Sequence, residues 1–128
     1  MAGEGEVEHL KRQVQAEMDR LTPDLFAVSR FLHANPELAY EEHQAAELLA
    51  DVLEQHGFAV TRGVANLPTA FTGVAGSGGP RIAFMAEYDA LPGLGHACAH
   101  NLIGTASLGA AQAVRSVLDR PAGAVLLV

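Results

Sequence analysis

Apolar positions recur at helical spacing from the start of the chain: Val7, Leu10, Val14 and Met18 predict a helix over 6–20. Thr22-Pro23-Asp24 then reads as a fresh helix start, with Thr22 able to cap it and Pro23 suited to its first turn. Leu25, Val28, Phe31 and Leu32 continue the stripe to about Ala34, where Asn35-Pro36 stops it, because a residue before proline avoids helical angles. In the next amphipathic segment Ala45, Leu48, Leu49, Val52 and Leu53 form one face, Glu42, Glu47, Asp51, Glu54 and Gln55 lie elsewhere, and Gly57 closes the helix.

The pattern then changes to short apolar runs. Phe58–Thr61 and Thr69–Val74 read as strands, and Gly76-Ser77-Gly78-Gly79-Pro80 as a hairpin turn leading into the apolar run Arg81–Ala86. A phosphate-binding loop would require a helix directly after those glycines, and a strand follows instead. The run 81–86 has no polar alternation, which predicts a strand buried on both faces. Residues 102–118 are helical again, with Ile103, Ala106, Ala110, Val114, Val117 and Leu118 near one face. Gly104, Ser107, Gly109, Ala111 and Ala113 keep that helix thin enough for close packing. Arg120-Pro121-Ala122-Gly123 ends it, and 124–128 begins another apolar strand. A chain that stops inside a buried strand reads as truncated. The alternation predicts an α/β fold, a three-layer core with a mixed sheet.

Composition narrows the function. The net charge is −7 and the basic residues stand singly, so no positive field is concentrated for nucleic acid. No stretch approaches the about 18 consecutive apolar residues of a membrane span, and the first residues are acidic where a secretory signal is basic. The reading is therefore cytoplasmic, with neither nucleic acid nor membrane as a partner. The single Cys98 excludes an internal disulfide.

The chemistry gathers after the run 81–86: Glu87, Asp89, His96, Cys98 and His100 lie where an open α/β sheet places its ligands. An extended backbone would point His96, Cys98 and His100 to one side, and a helix would pair only His96 with His100. Imidazole and thiolate are zinc-type ligands, and Asp89 or Glu87 could bind directly or orient an imidazole. Two other readings stand beside this one: a small core cysteine with satisfied loop histidines, and a Cys98 nucleophile with His96 or His100 as base. His9 and His43 read as solvated, His56 as a helix-end residue, and His33 as a backbone partner at a helix end; Glu41 and Glu42 read as first-turn carboxylates.

Three ordered segments, Phe31-Leu-His33-Ala-Asn-Pro36-Glu37-Leu-Ala-Tyr-Glu41-Glu42, Ala86-Glu87-Tyr88-Asp89-Ala-Leu-Pro92 and Gly95-His96-Ala-Cys98-Ala-His100-Asn101, resemble the start of the aminoacylase-like and carboxypeptidase-like metallopeptidases. They resemble most closely the branch containing auxin-conjugate and aminobenzoyl-glutamate amidohydrolases. The resemblance implies a three-layer α/β/α zinc-peptidase-like catalytic domain, of which 1–128 is an amino-terminal part, 1–22 a helical extension, and the dimerisation domain lies outside. It implies one or two divalent ions, Zn or Mn, and hydrolysis of an amide in an N-acyl amino acid or dipeptide-like substrate. Cys98 and His100 match metal ligands, and Asp89 matches the aspartate supporting the metal centre. Glu87 stands where other branches carry a ligand histidine, and His96 matches the motif without an assigned role. Ala99 replaces the glycine usual between Cys and His, a strained choice if that backbone requires positive φ. The family's glutamate pair, which carries the general base, is expected beyond Val128, and homodimerisation is confined to the complete protein. The alternative is a non-catalytic truncated chain that binds metal or serves as an interaction module.

Overall fold

The computed structural model describes residues 3–118 and 125–127. Its elements are α1 (Glu4–Ala34), α2 (His43–Gln55), β1 (Ala59–Arg62), a short 3-10 turn (Val64–Asn66), β2 (Phe71–Ala75), β3 (Ile82–Phe84), α3 (His100–Val117) and β4 (Val125–Leu127). The predicted termination of the last helix at 120–123, and the residues 124 and 128 of the final strand, lie outside the described residues.

α1 is one continuous helix, so the expected restart at Thr22 does not occur. Val14, Met18, Leu21, Leu25, Val28 and Leu32 are spaced 4, 3, 4, 3 and 4, a single stripe that stays in phase through Pro23. Leu21, Leu25, Val28 and Leu32 are buried, and Met18 and Leu25 reach α3 at Gly109. An interior proline costs about 3 kcal/mol, and the packing of that unbroken stripe outweighs it. The Thr22 hydroxyl donates back to Met18 O at 2.9 Å instead of capping a new helix.

The sheet is mixed, in the order β1-β2-β4-β3. β1 pairs antiparallel with β2, β2 antiparallel with β4, and β3 parallel with β4. The α/β class and the mixed sheet are therefore as predicted. The hairpin across Gly76–Pro80 is not: β4 lies between β2 and β3, so that loop joins strands that are not neighbours. The prediction that 81–86 is buried on both faces also fails, since β3 is an edge strand and Ile82 and Met85 are 61% and 64% exposed. Continuous apolar sequence reports the absence of polar residues, and does not say what covers each face.

Among the described residues, α2 packs on β1 and β2, α3 packs on β3 and β4, and α1 lies mainly on α3. Leu21, Leu32, Leu49, Leu53 and Leu108 are the large side chains sealed in the shared core. No described helix is long and apolar enough to cross a membrane.

The thinness of α3 is used where it meets the strand end. A Cβ built on Gly104 would lie 2.9 Å from Glu87 O, a backbone atom with no freedom to withdraw, whereas at Gly109 it would meet the ends of Leu25 and Met18. Gly104→Ala is therefore expected to destabilise the chain by about 1–3 kcal/mol, and Gly109→Ala by less, because flexible side-chain ends can rotate away. Thermal unfolding of the two variants checks the order.

Candidate metal centre

β3 ends at Phe84, and the chain continues without a ladder through Met85–Asp89 toward the amino end of α3. Alternation along this segment sends Phe84, Ala86 and Tyr88 against the core. Glu87 and Asp89 take the opposite phase and lie beside His100. The sequence-derived placement of polar groups just after an apolar strand therefore holds.

Tyr88 fixes this segment from the core side. Its ring stacks on Phe71 with centroids 5.9 Å apart, and its hydroxyl donates to Thr69 O at 2.5 Å. Burial, with a smaller contribution from the Glu42 carboxylate, pushes the phenol up to about 12. Glu42 is itself buried and accepts the Thr69 hydroxyl at 2.8 Å. It stands at the N-cap position of α2, just before the first turn, without making a side-chain cap bond, so the reading of Glu42 as a first-turn carboxylate is corrected.

Leu91–Gly95 forms a tight turn closed by Leu91 N to Gly95 O at 2.9 Å, with Gly93 and Gly95 at positive φ. A second turn, Ala99 N to His96 O at 2.9 Å, leads into α3. The 96–99 segment is thus neither extended nor helical, and among the described residues His96, Cys98 and His100 do not converge as a three-ligand group. His96 Nδ1 is buried without a hydrogen-bond partner among the described residues, and burial pushes its pKa down. Cys98 is exposed. Among the described side-chain hydrogen bonds none joins its sulfur to either imidazole, which gives the nucleophile reading no support.

Ala99 has φ 65° and ψ 25°, the left-handed conformation that the glycine expected at this position would adopt freely. Its carbonyl accepts from Leu102 N and Ile103 N, opening α3. His100 is the first residue of that helix. Asn101, 6% exposed, donates to Ser29 Oγ at 3.2 Å and so ties this first turn to α1.

The result is an imidazole between two carboxylates. His100 Nδ1 lies 2.6 Å from Asp89 Oδ1, and Nε2 lies 3.1 Å from Glu87 Oε2. If Nδ1–H donates to Asp89, the neutral ring points its Nε2 lone pair at a second carboxylate, an arrangement that a proton or a metal cation resolves. Glu87 is 61% exposed and free to re-aim. The donor chemistry fits part of a metal centre. Among the described residues, however, no three His, Cys, Asp or Glu side chains converge as a ready-made site.

Other predicted roles find simple partners. His56 Nδ1 lies 2.8 Å from Val52 O at the end of α2. At the end of α1, Asn35 Nδ2 donates to Phe31 O, the kind of bond expected of His33. The residue that sequence reading missed is Glu37, whose carboxylate accepts from Gln44 N at 3.0 Å and Ala45 N at 2.9 Å. It caps α2 from too far upstream for a local capping pattern to reveal it.

Two measurements follow from this geometry. Ala99→Gly is expected to raise stability by about 1 kcal/mol, since it removes the side-chain penalty of a left-handed residue; chemical denaturation reads it. For Tyr88 the folded state holds its proton to a higher pH than the unfolded chain, so the unfolded state releases protons first. Its contribution is complete below the ordinary phenol pKa of about 10 and is lost as pH rises through about 12. Stability is expected to fall across that window, and to fall less steeply in Tyr88→Phe.

No family model matches the sequence. Among curated proteins it is 45% identical over 103 residues to one of the subunits of p-aminobenzoyl-glutamate hydrolase from Escherichia coli K12, covering 67% of this chain and 21% of that protein. It is 42% identical over 124 residues to mouse Xaa-Arg dipeptidase, covering 89% of this chain and 29% of that one. The chain thus spans less than a third of the length of these relatives. Its fold matches a Bacillus subtilis protein described as a dinuclear metal binding peptidase of the M20 family, with a TM-score of 0.73 at 26% identity, over 88% of this chain and 34% of that structure. By both sequence and fold the chain belongs to the aminoacylase-like and carboxypeptidase-like peptidases of the M20 family.

Proposed function

We propose that this chain is part of a metal-dependent amidohydrolase that cleaves the amide bond of an N-acyl amino acid or dipeptide-like substrate. The observation that carries the reading is the imidazole of His100 held by Asp89 at one nitrogen and facing Glu87 with the other. The names of the relatives, which are hydrolases of aminobenzoyl-glutamate and of Xaa-Arg dipeptides, support the substrate class.

In this reading His100 Nε2 and the Cys98 sulfur are metal donors, and Zn or Mn, as one or two ions, is the cofactor. Imidazole with thiolate favours the softer zinc, whereas a centre richer in carboxylate suits manganese. Bound there, the ion would supply Lewis-acid polarisation of the amide carbonyl and activation of water. The chain's own residues supply orientation. Asp89 accepts the Nδ1 proton, fixes the tautomer, and increases the basicity of Nε2. The exposed Cys98 and Glu87 adjust to the ion. Beside them lies an open cleft of about 300 Å³ whose walls include Tyr40, Leu67, Phe71 and Met85, suited to an apolar part of a substrate. No residue of this chain is assigned as general base.

A second reading, a non-catalytic metal-binding or interaction module, is favoured by the absence of three convergent ligands among the described residues. Titration of the purified chain with zinc and with manganese tests the site. Binding is expected in the wild type and lost in Cys98→Ser and His100→Ala, with Asp89→Asn weakened by about 10–100-fold. Equal binding by all four chains would remove the metal centre from this account.

A further inference from the structure

Glu37 makes two connections at once. Its carboxylate accepts two otherwise unpaired backbone N–H groups in the first turn of α2, from Gln44 and Ala45, and a longer bond from Gln44 Nε2 at 3.4 Å. Its backbone carbonyl accepts from Ala90 N at 2.7 Å, next to Asp89, and Leu38 forms a parallel bridge with Ala90. Past the end of β3, this contact ties the 85–90 segment to the 35–42 loop. The place of Asp89 along its segment therefore follows the place of Glu37, and α2 holds Glu37 through its side chain.

From this geometry we infer that Glu37 is a positioning residue for the Asp89–His100 pair, an inference that rests on the metal-centre reading above. The carboxylate fastens the 35–42 loop to α2, the loop's carbonyl fastens Ala90, and Ala90 sets the approach of Asp89 to His100 Nδ1. Without the carboxylate, Gln44 and Ala45 lose their acceptor and the loop is no longer tied to α2. The Asp89 carboxylate then spreads over several positions, and the imidazole loses its fixed orientation. A role confined to capping α2 would lower stability and leave the site unchanged in the folded protein.

The test uses Glu37→Ala and Glu37→Gln, with Val28→Ala as a control that weakens the core away from the strand end. All are measured well below their unfolding temperatures. Two quantities are read: zinc affinity by calorimetry, and protection of the His100 Nδ1 proton from solvent exchange by NMR, which needs no metal. Glu37→Ala is expected to lose about tenfold in affinity and to lose protection of that proton. Glu37→Gln, which keeps one acceptor oxygen, should fall between it and the wild type, and Val28→Ala should match the wild type in both. A folded Glu37→Ala with wild-type protection at His100 overturns the inference whether or not zinc binds. Protection lost only in the Glu37 variants, in a chain that binds no zinc, would sustain the positioning role and overturn the metal centre instead.

Discussion

The contact on which the rest depends is the 2.6 Å approach of Asp89 Oδ1 to His100 Nδ1, between the end of a strand segment and the first residue of a helix. Neither group can reach the other unless α3 lies almost against the backbone of 86–89. The bare Gly104, facing Glu87 O, allows that approach. Ala99 accepts a left-handed backbone so that α3 can start immediately after a turn, and buried Asn101 fixes the helix to α1. On the other side, Tyr88 is anchored in the core through Thr69 and Phe71, while Ala90 is held by Glu37. The pair is thus fixed by packing and backbone bonds at both ends.

The same economy explains the local departures from ordinary preference. Pro23 within α1, positive φ at Ala99 and the buried carboxylate of Glu42 each oppose a local rule. Pro23 is carried by an apolar stripe that remains in phase across it. Glu42 is accommodated because Thr69 donates to it, and the N-terminus of α2 that it leaves uncapped is served by Glu37 instead. Only Ala99 lacks such compensation among the described contacts. It lies directly before His100, whose approach to Asp89 depends on where α3 begins.

Much of this was legible in the sequence because its signals are local and periodic. The face of α2, the approximate strands, the small residues of α3 and the three ordered motifs are all readable in the sequence. The face predicted for α3 is not the buried one: Ile103 and Ala106 are exposed, and Gly104, Thr105, Leu108, Gly109 and Ala111 are buried instead. Asp89 and His100 are eleven positions apart, and the sequence offered Asp89 only as one of two carboxylates able to bind an ion or orient an imidazole; the contact itself is set by the packing of α3 on the strand end. What spacing could not deliver were the long-range choices. Strand order depends on β4 entering between β2 and β3, which reverses the hairpin reading of the glycine turn. Whether Ile82 and Met85 are covered depends on neighbours, not on their own hydrophobicity. Glu37 reads as a loop carboxylate until the fold brings α2 and Ala90 to it. The continuity of α1 was available, since Leu21 bridges the two stripes, but proline is a strong local stop signal and obscures that phase.

The most direct test is the absorption spectrum of the chain loaded with Co²⁺, because cobalt bound by a thiolate shows a charge-transfer band that oxygen or imidazole ligands alone do not give. The account predicts that band in the wild-type chain, its loss in Cys98→Ser, and a changed ligand field in Asp89→Asn, where the support of His100 is weakened. A spectrum with no thiolate band would remove Cys98 from the site, and one unchanged in both variants would mean that the ion is held elsewhere and that the Asp89–His100 contact is structural only.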